Sequence, residues 1–223
     1  MSPRSDETSS EALSSFLEDP TIPWAIDMDG TLIREDVTSV ARDISIASPR
    51  HWFTCIIAHI LYFSYWFRIT AYRILERFVP VDPSKLTYNQ PLLAYIRSHR
   101  RNGGFVILAT ASHVHVARTV VNHVETSMTT TKEKCSGAKN PSSSFLFDDV
   151  IGSHPPHVWD ACGKVKATLI HARFPDGFVY AGNSSEDLSI WEHPSCRAMI
   201  LVNCPNEVLK KAKSINKPYI ILD

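Results

Sequence analysis

Trp24-Ala25-Ile26-Asp27-Met28-Asp29-Gly30-Thr31 is the stretch on which the fold turns. Three apolar residues run straight into an acidic pair and a Gly-Thr turn, the pattern of a short buried strand feeding a functional loop. Two residues of separation in an extended loop can bring Asp27 and Asp29 into a common site, and Gly30 lets the backbone turn sharply after them. Working outward, Phe105-Val106-Ile107-Leu108-Ala109-Thr110 is a second run of the same kind, with Val114, Ala117, Val121 and Val124 at helical spacing behind it. Between the two, Pro91 opens a segment with Leu92, Leu93 and Ile96 on one side. It ends in Arg97, His99, Arg100 and Arg101 before Gly103-Gly104, which are helix start and stop signals.

Further strands are expected at Asp149-Val150-Ile151, Phe178-Val179-Tyr180-Ala181 and Ala198-Met199-Ile200-Leu201-Val202, with helices around Lys164 to Ala172 and Asp187 to Glu192. Strand–helix alternation of this kind predicts an α/β fold, a three-layer Rossmann-like core with a parallel sheet and helices on both faces. Ligands of such sheets bind beyond the carboxyl ends of the strands. Asp27, Thr110 and Gly182-Asn183 all fall at those ends.

The totals set bounds. A chain of 223 residues is long enough for one packed core and a modest insertion. Twenty-three Lys and Arg balance 23 Asp and Glu, so no basic field exists to hold a nucleic-acid backbone. Cys55, Cys135, Cys162, Cys196 and Cys204 are odd in number and scattered, without a CxxC pair. That pattern argues against a disulfide framework or a zinc site, suits a reducing compartment, and gives a cytoplasmic expectation. Residues 1–20 are Ser- and Glu-rich without an apolar core and are expected to be a flexible polar leader, with residues 21–223 forming the domain. Thr126 to Ser144 is rich in Ser, Thr and Lys, with Gly137 and Pro141, and is expected to be a long mobile surface loop.

The acidic pair suits one chemistry in particular. A phosphate monoester dianion repels an attacking carboxylate, so its hydrolysis needs a carboxylate nucleophile, a divalent cation and a lysine to offset charge, and a second acid to protonate the leaving oxygen. Asp27-x-Asp29-Gly30-Thr31 resembles the first motif of haloacid-dehalogenase-superfamily phosphatases. The resemblance implies Asp27 as the nucleophile that forms an aspartyl-phosphate and Asp29 as the acid/base. Mg2+ is then bound by the Asp27 carboxylate and the main-chain carbonyl of Asp29. It implies Thr110, with Ala111 beside it, as the phosphate-binding second motif. Gly182-Asn183-Ser184-Ser185-Glu186-Asp187 stands where the family carries Gly-Asp-x-x-x-Asp, making Asn183 and Asp187 the remaining metal contacts. Thr87-Tyr88-Asn89-Gln90, Leu108-Ala109-Thr110-Ala111-Ser112, Tyr180-Ala181-Gly182-Asn183-Ser184 and Asp187-Leu188-Ser189-Ile190-Trp191 also resemble the haloacid-dehalogenase domain that precedes a UbiA-type membrane prenyltransferase in some fused proteins. That points to a prenyl phosphate or another phosphorylated isoprenoid as substrate.

Two positions depart from the family pattern. Asn183 replaces an Asp ligand and contributes no charge, which lowers the expected metal affinity. The motif lysine has two candidates, Lys164 and Lys166. Anchoring on Gly163 puts Cys162 at the first lysine of the family's pattern and leaves Lys166 as the second, and Lys166 is preferred on that alignment. Between the two motifs, about residues 36–83, the superfamily inserts a cap. Here that segment holds Trp52, Phe53, Tyr62, Phe63, Tyr65, Trp66 and Phe67 within a run too short to cross a bilayer. A small helical cap is expected, either with an aromatic core alone, or with an aromatic wall for an apolar substrate tail or for peripheral contact with a membrane. Two rival functions remain open: a non-catalytic binding or regulatory module with a decayed metal site, and an enzyme acting on a diphosphate in terpenoid metabolism.

Overall fold

The computed structural model describes residues 19–48, 51, 56, 68–133 and 145–223. Six strands form one parallel sheet: β1 (Trp24–Ile26), β2 (Val106–His113), β3 (Asp149–Ser153), β4 (Phe178–Gly182), β5 (Cys196–Val202) and β6 (Tyr219–Leu222), in the order β3-β2-β1-β4-β5-β6. The described helices are α1 (Val37–Ala47), α2 (Arg68–Phe78), α3 (Gln90–Arg101), α4 (Val114–Glu133), α5 (Gly163–Arg173), α6 (Leu188–Trp191) and α7 (Asn206–Lys213). This is the α/β architecture expected from the alternation of apolar runs and helical periodicities.

The central strand explains the layering. Because side chains alternate across a strand, Trp24 and Ile26 pack on one face with Leu92, Ile96 and Val120 of α3 and α4, while Ala25 faces Ala167, Ile170 and Trp191 of α5 and α6 on the other. All three β1 residues are buried, which is why the strand reads as a continuous apolar run instead of an alternation. Truncating Ile26 to Ala would open a cavity between sheet and helices at a cost of about 2–5 kcal/mol.

Helix α3 starts and stops where the sequence signals it. The Asn89 side chain accepts from Leu92 N at 3.0 Å as the N-cap. Past the C-terminus Gly103 takes φ +89°, a conformation that favours glycine. Arg100 in the last turn reaches Asp148 at 2.6 Å, and the same carboxylate oxygen accepts from Val106 N at 2.8 Å, which fixes where β2 begins.

The expected loop from Thr126 needs correction: helix α4 runs on to Glu133, and residues 134–144 lie outside the described part. Helix propagation is cheap once a turn is nucleated, and the packed stretch from Val116 to Val124 supplies that nucleus, so Ser and Thr propensity is overridden. The described parts of the expected cap, α1 and α2, are helical and pack against each other, with α2 also touching β2. The aromatic run from Trp52 to Phe67, apart from Ile56, lies outside the described residues, as do residues 1–18 of the leader. Among the described residues no helix is long and apolar enough to cross a membrane. Cys162, Cys196 and Cys204 are free thiols.

Candidate active site

Chain order reverses at β1: the chain proceeds from β1 to β2 and β3 on one side, then crosses to β4 on the other. Residues at the carboxyl ends of β1, β2 and β4 therefore converge. Asp27 is the first residue past β1, and its N–H still donates to Ala181 O of β4 at 2.9 Å. The next turn is tight, with Thr31 N and Ile33 N both donating to Met28 O at 3.3 and 3.0 Å. Gly30 closes it with φ +74°, and a Cβ built there would stand 2.0 Å from Asn183 Nδ2. Only a glycine lets the acidic loop lie against the β4 loop so closely.

Asp27 is 6% exposed. Its Oδ1 accepts from Lys166 Nζ at 2.7 Å and its Oδ2 from Thr31 Oγ1 at 3.2 Å. Lys166 comes from the first turns of α5 and is buried, whereas Lys164 is exposed on the same helix. The structure thus brings one of the two candidate lysines to the carboxylate and leaves the other in solvent. Behind the pair, Tyr180 Oη accepts from Lys166 Nζ at 3.2 Å and donates to Asp187 Oδ1 at 2.7 Å. Burial pushes Asp27 above the usual carboxylate range, with Asp187 and Asp29 adding to that rise against the pull of Lys166. Burial acts downward on Lys166, and the carboxylates of Asp27 and Asp187 outweigh it, holding the ammonium above its ordinary value. Burial and the Asp187 carboxylate likewise raise Tyr180 well above an ordinary phenol, so it stays protonated.

Asp29 is held at both oxygens. Oδ1 accepts from Val37 N at 2.9 Å, at the start of α1, and Oδ2 from Ser112 Oγ at 2.7 Å and Thr110 Oγ1 at 3.2 Å, both on β2. Burial raises its pKa to about 6, partly opposed by the bonds from Val37 and Ser112. Thr110 also accepts from Ser112 N at 3.0 Å, so the two hydroxyls act as one unit. Ala111, next to Thr110, has its carbonyl taken by Ser153 Oγ at 2.6 Å, which ties β2 to the end of β3.

Asp187 is nearly fully buried, and its oxygens are already engaged. Besides Tyr180, it accepts from Asn183 N at 3.0 Å, Ser184 N at 2.9 Å and Ser184 Oγ at 3.1 Å, a capping box that shapes the loop after β4. Asp187 therefore holds the loop that carries Asn183 against Gly30. Cys162, where the family pattern has a lysine, donates from Sγ to Glu186 Oε2 at 2.7 Å, and burial pushes its thiol up to about 12. Ser112 and Tyr180 are site residues that sequence reading missed.

Among the described residues no three His, Cys, Asp or Glu side chains gather as a metal cage. What the site offers is a hard-oxygen set: the Asp27 carboxylate, the backbone of the Asp29 loop and the Asn183 amide pressed against Gly30. Such a set fits magnesium, which binds through one or two carboxylates and keeps several waters.

The fold is that of haloacid-dehalogenase hydrolases. A haloacid-dehalogenase-like hydrolase of Streptococcus pneumoniae superposes with a TM-score of 0.54 at 14% identity, over 92% of this chain and 95% of that one. Phosphoserine phosphatase superposes at 10% identity over 92% of this chain and 94% of its own. The TM-score is 0.54 for its substrate-bound form and 0.51 for its phospho-aspartyl intermediate analogue. In sequence, the chain is 28% identical over 185 residues to the uncharacterized protein y4nM of Sinorhizobium fredii, a match that covers 82% of this chain but 30% of that protein. No family model matches the chain.

Proposed function

We propose that this chain is a magnesium-dependent phosphatase that hydrolyses a phosphate monoester through an aspartyl-phosphate on Asp27. The observation that carries the proposal is the pairing of a buried Asp27 with Lys166 at 2.7 Å beside an Asp29 gripped by Val37, Thr110 and Ser112. An Asp27 oxygen bonds to phosphorus as the ester P–O bond breaks, and Asp29 gives its proton to the leaving alkoxide. Asp29 then takes a proton from water as that water attacks phosphorus, and the Asp27–phosphorus bond breaks to free phosphate and the carboxylate. A carboxyl held at about 6 is suited to both roles near neutral pH. Lys166 neutralises Asp27 in the resting site and offsets the phosphoryl charge, with Thr110 and the Ala111 segment alongside.

Asp27, the main-chain carbonyl of Asp29 and Asn183 would hold Mg2+, with Asp187 keeping the Asn183 loop in place. The ion supplies further charge neutralisation for the phosphoryl group. That a phospho-aspartyl analogue has been seen on this same fold supports the intermediate.

For the substrate we favour a prenyl phosphate. The support is the aromatic density of Trp52 to Phe67 at the position of the cap, together with the four sequence phrases that resemble domains joined to prenyltransferases. The same aromatic segment would make peripheral contact with a membrane. The test is phosphate release from farnesyl phosphate and from a small generic phosphate ester, each with magnesium and with chelator. Magnesium-dependent release favouring farnesyl phosphate supports mechanism and substrate together. Release from the small ester alone keeps the mechanism and removes the isoprenoid assignment. No release from either removes the prenyl assignment and leaves two readings, a different phosphate ester or a module that only binds.

A further inference from the structure

Glu76 of helix α2 is a buried carboxylate that the chemistry above does not use. It is 1% exposed and lies in a network that spans four separate segments of the chain. Its Oε1 accepts from Thr38 Oγ1 of α1, and its Oε2 accepts from His113 N at the end of β2 at 2.6 Å. Arg73, one helical turn before it and also buried, donates to both oxygens from Nη1 at 3.0 and 2.8 Å and reaches Asp160, ahead of α5, from Nη2 at 3.1 Å.

The partners of Glu76 stand one residue along from the partners of Asp29. Asp29 is held by Val37 N on one oxygen and by Ser112 Oγ on the other. Glu76 holds Thr38 on one oxygen and the N–H of His113 on the other. Two carboxylates thus grip the same pair of chain segments, the start of α1 and the end of β2, at neighbouring residues. Movement of either segment would misalign the donors that fix Asp29. A carboxylate with two acceptor oxygens joins both segments at once, and Arg73 supplies the buried counter-charge that lets it stay there.

We infer that Glu76 is a positioning residue for Asp29: it straps the start of α1 to the end of β2 and so sets the orientation of the acid that protonates the leaving group. This rests on the assignment of Asp29 as acid/base. Glu76 itself touches no reacting atom. Its effect on turnover therefore depends on how much the leaving group needs a proton.

The test removes the strap without orphaning a buried charge. Arg73→Met/Glu76→Ala loses both members of the pair. Arg73→Met/Glu76→Gln keeps an acceptor for His113 N and an amide able to donate to Thr38 Oγ1. Both are assayed with magnesium on p-nitrophenyl phosphate, whose phenolate leaves unaided, and on hexyl phosphate, whose alkoxide does not. In the Ala variant kcat/KM for hexyl phosphate is expected to fall about 30- to 100-fold, the scale of a misplaced general acid, while p-nitrophenyl phosphate changes less than about threefold. The Gln variant is expected to restore hexyl phosphate hydrolysis to within about threefold of the parent. An equal fall on both esters, or no recovery with Gln, overturns the inference.

Amide exchange measured by NMR gives a readout that needs no turnover. His113 N–H loses its acceptor in the Ala variant whatever the role of Glu76. Val37 N–H, whose acceptor is Asp29, is expected to exchange about tenfold faster or more in the Ala variant and at the parental rate in the Gln variant. Faster exchange at His113 alone overturns the inference. With a parent protein inert on both esters the phosphatase assignment is decided on farnesyl phosphate, and the Val37 exchange rate decides the strap by itself.

Discussion

Replacing Lys166 by Met tests the electrostatics of the site, because Met keeps most of the side chain's apolar stem and deletes the ammonium with its charge and hydrogen bonds. The ammonium stands 2.7 Å from Asp27 Oδ1 and 3.8 Å from Asp187 Oδ1. At an effective dielectric constant of 20 those contacts correspond to attractions of about 6 and about 4 kcal/mol. Lost hydration offsets much of this, and deleting one partner of a buried pair costs about 3–5 kcal/mol net. The cost depends on pH. Burial holds native Asp27 above the usual carboxylate range, so the native state binds its proton more tightly than the unfolded chain does. The stability from that proton is fully present below the unfolded value and is lost as pH rises through the native one. Without Lys166 the native value rises further, so the variant goes on losing stability at a pH where Asp27 of the parent is already ionised and paired with lysine. Urea unfolding in chelator at pH 5.5 and 8.5 should therefore give a penalty of about 3–5 kcal/mol at the higher pH and less than about half of that at the lower. Lys164→Met serves as the control, within about 0.5 kcal/mol of the parent because Lys164 is exposed. A penalty equal at both pH values, or equal for the two lysines, would refute the assignment of Lys166 as the buried partner of Asp27.

Other substitutions give equally definite expectations. Asp29 rises from an ordinary 3.8 to about 6, worth at most about 3 kcal/mol and less for its partial exposure. That stabilisation is complete below 3.8 and gone above 6, so chelator-treated Asp29→Asn should lose about 1–2 kcal/mol less than the parent between pH 4 and pH 7 in urea melts, while turnover disappears. Parallel slopes would show that Asp29 titrates normally. Gly30→Ala places a methyl group 2.0 Å from Asn183 Nδ2 in a left-handed backbone that itself costs about 1–2 kcal/mol. Magnesium affinity by calorimetric titration should drop about tenfold or more as Asn183 is displaced, and unchanged affinity would remove Asn183 from the metal set. Tyr180→Phe deletes the hydroxyl between Lys166 and Asp187 and should cost about 1–3 kcal/mol in thermal or urea unfolding, since it leaves an Asp187 oxygen without its closest donor. A cost near zero would mean that water replaces the hydroxyl.

What could be read from the sequence follows the range of the interactions involved. Asp27 and Asp29 lie in one eight-residue stretch whose strand, turn and acid spacing are local, so strand β1 and the acidic loop are legible directly. Thr110 and Lys166 needed a motif pattern, yet each sits at a strand end or helix start that periodicity locates. Ser112 is different. Its hydroxyl is a plausible helix cap by position, and only the pairing of β1 with β2 turns it toward Asp29. Tyr180 occupies a strand buried on both faces, where an aromatic residue reads as core, and its hydroxyl gains meaning only from Lys166 and Asp187. Asp187 looks like a metal ligand in a motif and a loop anchor in three dimensions, because its neighbours Asn183 and Ser184 offer backbone donors first. Helix α7 and strand β6 went unread because they follow the last recognisable phrase.

The register of β1 also bears on how the protein reaches its active form. Ile26 pairs with Leu108 on one side and with Ala181 on the other, partners that are 82 and 155 positions away along the chain. Contacts so distant in sequence close late, after local helices have formed. Asp27 acquires its backbone anchor on Ala181 only when the second of these closures is complete. A refolding chain would thus regain most of its helical signal while Asp27 is not yet aligned. Partly folded molecules with an aligned Asp27 carboxylate would then be absent from the refolding population, and recovery of the proposed phosphatase turnover would time the final closure of the sheet.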